Sequence, residues 1–88
     1  MLKITKYSAD WCRPCETLQK IMDEILPAYN TNVEYVVVDI EEEFELADKM
    51  QIRGVPTLIF EKDGVVVNRF MGLRSSDEIK AVIDSYVK

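Results

Sequence analysis

Histidine is missing from the 88-residue sequence, and cysteine occurs only twice. A structural zinc site takes four nitrogen or sulfur ligands, so this chain would have to complete one by dimerising or with carboxylates. Basic clusters are missing too. With a formal charge of −5 and no run of lysines and arginines to neutralise phosphates, nucleic acid is not an expected partner. The apolar runs are only a few residues long, far short of the roughly 20 that a membrane-spanning helix needs. The start, Met1 to Tyr7, is interrupted by Lys3 and Lys6 and lacks the apolar stretch and small-residue cleavage site of an export signal. These features lead us to expect a cytoplasmic protein with no membrane partner. Internal repeats, low-complexity stretches and linkers are absent as well.

What remains is the composition of an ordinary soluble globule, with 48% hydrophobic and 31% charged residues. The length allows one domain, residues 1–88, which buries about 60–65% of its unfolded surface. Residues 2–7 read as a first strand and residues 8–14 as a loop. A helix is expected from about Pro14 to Leu26, because Cys15, Leu18, Met22 and Ile25 repeat at helical spacing; Pro27 is expected to stop it. Val33 to Asp39 is β-branched and almost continuously apolar, the pattern of a parallel strand buried on both faces. Glu41, Glu42 and Glu43 lead into a short helix from about Phe44 to Met50, where acidic side chains suit the first turn. Thr57–Glu61 and Val65–Phe70 read as strands joined through Lys62-Asp63-Gly64, an Asp-Gly hairpin signal. Ser75 and Glu78 form a capping box before a final amphipathic helix. The order β-α-β-α-β-β-α predicts an α/β protein with a four-stranded mixed sheet and helices on its faces.

The pair Cys12-Arg13-Pro14-Cys15 has three ordinary meanings. Zinc binding lacks ligands. A structural disulfide across so short a loop removes little chain entropy, and in a reducing compartment it does not persist. A redox pair fits the placement, where a strand passes through a short loop into a helix. Cys12 then lies at or just before the helix N-terminus, where free N–H groups and the helix dipole favour a thiolate. Pro14 suits the first turn, having a fixed φ and no N–H to leave unpaired. Cys15, one turn on and facing inward, is expected to be the less exposed. Cys12 is therefore the expected nucleophile and Cys15 the resolving thiol.

Several motifs together resemble the thioredoxin family. Asp10-Trp11-Cys12-Arg13-Pro14-Cys15 is similar to its Trp-Cys-Gly-Pro-Cys signature. Ile52-Arg53-Gly54-Val55-Pro56-Thr57 resembles the segment carrying its cis-proline, Lys62-Asp63-Gly64 its hairpin turn, and Met71-Gly72 the step after its last strand. The spacing agrees across roughly residues 2–88. The resemblance implies a thioredoxin-like fold and a protein thiol–disulfide oxidoreductase. In such a protein Trp11, Arg13, Pro14, Val55, Pro56, Met71 and Gly72 border a shallow groove that receives an extended substrate segment. Plainer readings stand beside these: Trp11 as a packed aromatic, Pro56 as a plain turn, Gly72 as a strand end. The resemblance further implies a monomer that binds no metal or organic cofactor. Its electrons come from NADPH through a thioredoxin-reductase-like flavoenzyme, and its partners are that reductase and disulfide-containing proteins. A glutaredoxin-like, glutathione-dependent reductase and a non-catalytic thioredoxin-fold adaptor are the alternatives.

The sequence departs from the family in three places. It starts at what is the second strand of typical members, so its first strand has fewer partners. Lys6 stands six residues before Cys12, where the family usually has a buried aspartate; it is expected to reach solvent, with charge stabilisation of the thiolate as the alternative. Arg13 replaces a glycine between the cysteines, where a cation favours the reduced form or offers its charge to a partner.

Overall fold

The computed structural model describes residues 1–29 and 31–87. Alternation within β1 (Leu2–Ser8) sets the layers. Leu2, Ile4 and Lys6 point to one face, Thr5 and Tyr7 to the other, and all five are buried. Only a central strand is covered on both sides in this way. β1 pairs in parallel with β2 (Val33–Asp39) and antiparallel with β3 (Thr57–Lys62), which pairs antiparallel with β4 (Val65–Met71). The sheet is four-stranded and mixed, in the order β2-β1-β3-β4.

On one face, Leu2, Ile4, Leu58 and Phe60 pack against Leu18, Met22 and Ile25 of α1 (Arg13–Ile25) and Ile79 and Ile83 of α3 (Ser76–Tyr86). Phe60 meets Phe70 edge-on at 5.7 Å between ring centroids. On the other face, Tyr7, Val38 and Ile59 gather Ile40, Met50 and Ile52 around the short α2 (Phe44–Lys49). Helices therefore lie on both faces of the sheet, in the expected order and the thioredoxin-like arrangement. Among the described residues no helix is long and apolar enough to cross a membrane.

Local chemistry explains the turns. Asp63 and Gly64 have φ of 53° and 82°, the left-handed pair that a two-residue hairpin with matching twist demands. Ser75 Oγ accepts the Glu78 N–H at 3.2 Å, while Glu78 Oε1 accepts the Ser75 N–H at 3.3 Å.

Two expectations change. β2 is an edge strand rather than a strand buried on both faces; only Val38 of its run is buried and Val37 is half exposed. A β-branched run reports preference for extended backbone, but the number of neighbouring strands decides burial. Pro27 does not end the helical path at once: α1 closes at Ile25, and Leu26–Tyr29 continues as a 3-10 turn that contains the proline. Early in a new turn proline gives up no hydrogen bond.

Candidate active site

The site begins where β1 gives out. After Ser8 the chain turns back on itself, the Cys12 N–H donating to the Ala9 carbonyl at 3.2 Å. Cys12 is the N-cap of α1, with φ −94° and ψ 107°, and its Sγ accepts the Cys15 N–H at 3.2 Å. A capping position is usually held by an oxygen side chain; here a sulfur holds it. A thiolate at this atom receives the same N–H together with the positive end of the helix dipole, the two effects that lower a cysteine pKa. Pro14 sits in the first turn, where no helical hydrogen bond is lost.

Cys12 and Cys15 are joined in a disulfide, with Cα atoms 5.3 Å apart. They pack with Ala9, with Val55 and Ile40 alongside. The expected contrast in exposure between them is slight in this disulfide-bonded form, Cys12 being 4% exposed and Cys15 2%. The bridge draws both sulfurs against the helix end.

The residues expected to border a groove come from three segments. Trp11 projects with 66% of its surface exposed, so it is not a packed core aromatic. Arg13 is exposed in the first turn of α1. Val55 precedes Pro56 through a cis peptide bond, and Pro56 is buried. Gly72 has φ +94° and donates its N–H to the Pro56 carbonyl at 2.8 Å; a side chain at that φ is strained. That bond ties the end of β4 to the proline loop. Thr57 Oγ1 donates to the Gly54 carbonyl at 2.7 Å, closing the same loop from within. Met71 is 61% exposed and lies over Gly54, where an added Cβ would meet its Sδ at 3.7 Å. The structure thus brings Val55 onto the cysteines, leaves Met71 exposed next to Gly72 in sequence, and ties Gly72 to the buried Pro56.

Lys6 departs from the expected path to solvent. It is 4% exposed, and its Nζ donates to the Cys15 carbonyl at 3.3 Å. The side chain points into the α1 face of the sheet, directly under the helix that carries the dithiol, because strand alternation aligns it with Leu2 and Ile4. Burial pushes its pKa below the ordinary 10.5, with the Asp23 carboxylate pulling the other way. Among the described residues no carboxylate lies within ion-pair distance of it.

Sequence reasoning did not single out Arg53, Arg69 and Arg74. They come from the loop after α2, from β4 and from the segment before α3, and only the fold brings them into one pocket with Thr57 and Met71. Among the described residues no three carboxylate, cysteine or histidine side chains converge to hold a metal.

A family model described as Thioredoxin matches residues 2–85. The chain belongs to the thioredoxin family. Across 86 residues it is 33% identical to the thioredoxin of Listeria monocytogenes, covering 98% of this chain and 84% of that one. The thioredoxin of Staphylococcus haemolyticus is 27% identical over the same length. Among solved structures, a mutant thioredoxin from Halobacterium salinarum superposes with a TM-score of 0.89 at 33% identity, covering 99% of this chain and 75% of that one. A thioredoxin from Nicotiana alata gives 0.91 at 26% identity, with 99% and 74% covered. Family membership together with the Cys12–Cys15 bridge makes the chain a thiol–disulfide oxidoreductase. Thioredoxins bind no cofactor of their own and act with reductases and disulfide-containing substrates.

Proposed function

We propose that this thioredoxin is a dithiol reductant of protein disulfides in which Cys12 attacks and Cys15 resolves. The observation that carries the assignment is the Cys15 N–H aimed at Cys12 Sγ on the helix N-terminus. The Cys12 thiolate attacks one sulfur of the target disulfide, forming a mixed disulfide and releasing the other target sulfur as a thiolate that takes up a proton. Cys15 then loses its proton and attacks Cys12 Sγ. The Cys12–target bond breaks, the second target sulfur leaves as a thiol, and the Cys12–Cys15 bridge of the structure is the product. Two electrons have passed to the target.

Trp11, Arg13, Pro14, Val55, Pro56, Met71 and Gly72 border the surface on which an extended target segment lies beside the dithiol, added as a strand. Lys6 and Arg13 set two positive charges near the sulfurs and favour the thiolate. Electrons return from NADPH through a thioredoxin-reductase-like flavoenzyme, and the protein works in the cytoplasm as a monomer.

A Cys15→Ser variant tests the assignment. It is expected to accumulate mixed disulfides between Cys12 and target proteins, whereas Cys12→Ser traps none; trapping through position 15 instead would reverse the roles. Supplying NADPH with thioredoxin reductase, or glutathione with glutathione reductase, tests the electron source. Turnover with the glutathione system alone would replace the proposed donor.

A further inference from the structure

The arginines of this acidic chain are unevenly placed. Arg13 stands in the first turn of α1 beside the dithiol, and Arg53, Arg69 and Arg74 line one pocket of about 470 Å³. Its floor includes Thr57 and Met71, partners across β3 and β4. Thr57 directly follows Pro56, and Met71 precedes Gly72, whose N–H is bonded to the Pro56 carbonyl. The pocket therefore opens where the groove beside the disulfide ends.

The three guanidinium groups are held differently. Arg69 donates through Nη2 to the carbonyls of Met50 and Gln51, at 2.5 and 3.0 Å, which anchors the loop after α2 to β4. Arg74 lies 4.9 Å over the Phe70 ring and 3.7 Å from Glu78, both side chains of this ion pair being substantially exposed. Arg53 is exposed, and among the described residues no carboxylate lies within ion-pair distance of it. On the opposite side of the dithiol, next to edge strand β2, a second pocket is lined by Asp10, Asp39, Glu42 and Glu43. The surface around the disulfide is thus positive toward β4 and negative toward β2, in a molecule whose net charge is −5.

We propose that the Arg53–Arg69–Arg74 pocket recognises acidic side chains flanking the disulfide of a target protein, so that this thioredoxin prefers acidic targets. The inference rests on the reading of the dithiol as a reductant of protein disulfides. Guanidinium groups present planar pairs of donors that match carboxylates. A basic patch beside a reacting centre raises the encounter rate with acidic partners, an effect that falls with salt. The acidic wall on the β2 side repels acidic side chains, so it favours the placement that puts them in the arginine pocket.

Two disulfide-linked peptides of equal length, one with aspartates on a single side of the cysteine and one with asparagines there, test the proposal. The unaltered protein is expected to favour the acidic peptide in kcat/KM by about three- to tenfold at low salt, the range of a few exposed charge contacts. That preference is expected to shrink at ~0.5 M salt. In the Arg53→Gln/Arg74→Gln double variant the acidic-to-neutral ratio falls to near one, while Arg53→Lys keeps most of it. Urea melting confirms that the Gln variants remain folded. A ratio near one in the unaltered protein, or one that the double variant leaves unchanged, overturns the proposal. Failure of the unaltered protein to reduce either peptide defeats the reductant reading itself.

Discussion

Lys6 carries a positive charge into a place where water is scarce. Its Nζ meets the Cys15 carbonyl, and among the described residues no carboxylate is near enough to pair. Because burial lowers its folded-state pKa below 10.5, the unfolded chain holds more protons between that lowered value and 10.5, and stability rises with pH across the window. A Lys6→Met variant removes this slope. Chemical denaturation is expected to show the variant more stable than the parent at neutral pH, with the gap closing as pH approaches 10.5. Tyr7 and Tyr35 act in a window that opens near pH 10 and overlaps the top of this one. Burial raises both above the ordinary 10.0, so they lower stability as pH rises above that value, and equally in parent and variant. The same substitution bears on the chemistry: without the ammonium, the Cys12 thiol is expected to titrate at higher pH, and an unchanged thiolate absorbance titration would limit Lys6 to a structural role. Arg13 acts from the outer side. Arg13→Gly is expected to make the reduction potential more negative in equilibrium with glutathione, since a cation between the cysteines favours the thiolate and so the reduced pair. A potential that stays put would leave Arg13 with partner contacts alone.

Elements with a chemical reason at each end were the most legible in the sequence. Ser75 and Glu78 announced α3, Asp63-Gly64 announced the hairpin, and both have the predicted geometry. Replacing Ser75 with Ala is expected to cost about 1 kcal/mol in a urea melt, because the Glu78 N–H loses its acceptor. The dithiol loop was legible for the same reason, since the cap of α1 is the nucleophile itself. What escaped was information held between elements. Nothing in Val33–Asp39 says that β2 pairs on one side only. Alternation with Leu2 and Ile4 aims Lys6 inward, but nothing in those residues says that α1 covers it and supplies the Cys15 carbonyl as its partner. Arg53, Arg69 and Arg74 are separated by other segments in the chain and meet only once the loop after α2 rests on β4. The expected groove rests on a resemblance, and the arginine pocket had no motif to announce it.

At the scale of the whole molecule, the core between the sheet and α1 and α3 is larger than the one on the opposite face. Ile83, on α3 and far along the chain from the cysteines, is fully buried in the cluster that joins α1, α3 and the sheet. Ile83→Ala is expected to destabilise the protein by about 2–5 kcal/mol, a large share of the 5–15 kcal/mol typical of a domain. Thermal melting measures the loss, and a drop under 1 kcal/mol would show that the helices repack around the gap. The charges follow the same sheet from side to side, acidic pocket by β2, disulfide at the end of β1, arginine pocket by β4. An extended peptide has two directions in which to cross that surface, and its backbone hydrogen bonds distinguish them poorly. Opposite charge at the two ends of the path does distinguish them. On the proposed charge selection, a target with acid on one side of its cysteine and base on the other lies down one way round, which fixes the direction in which its chain runs past Cys12.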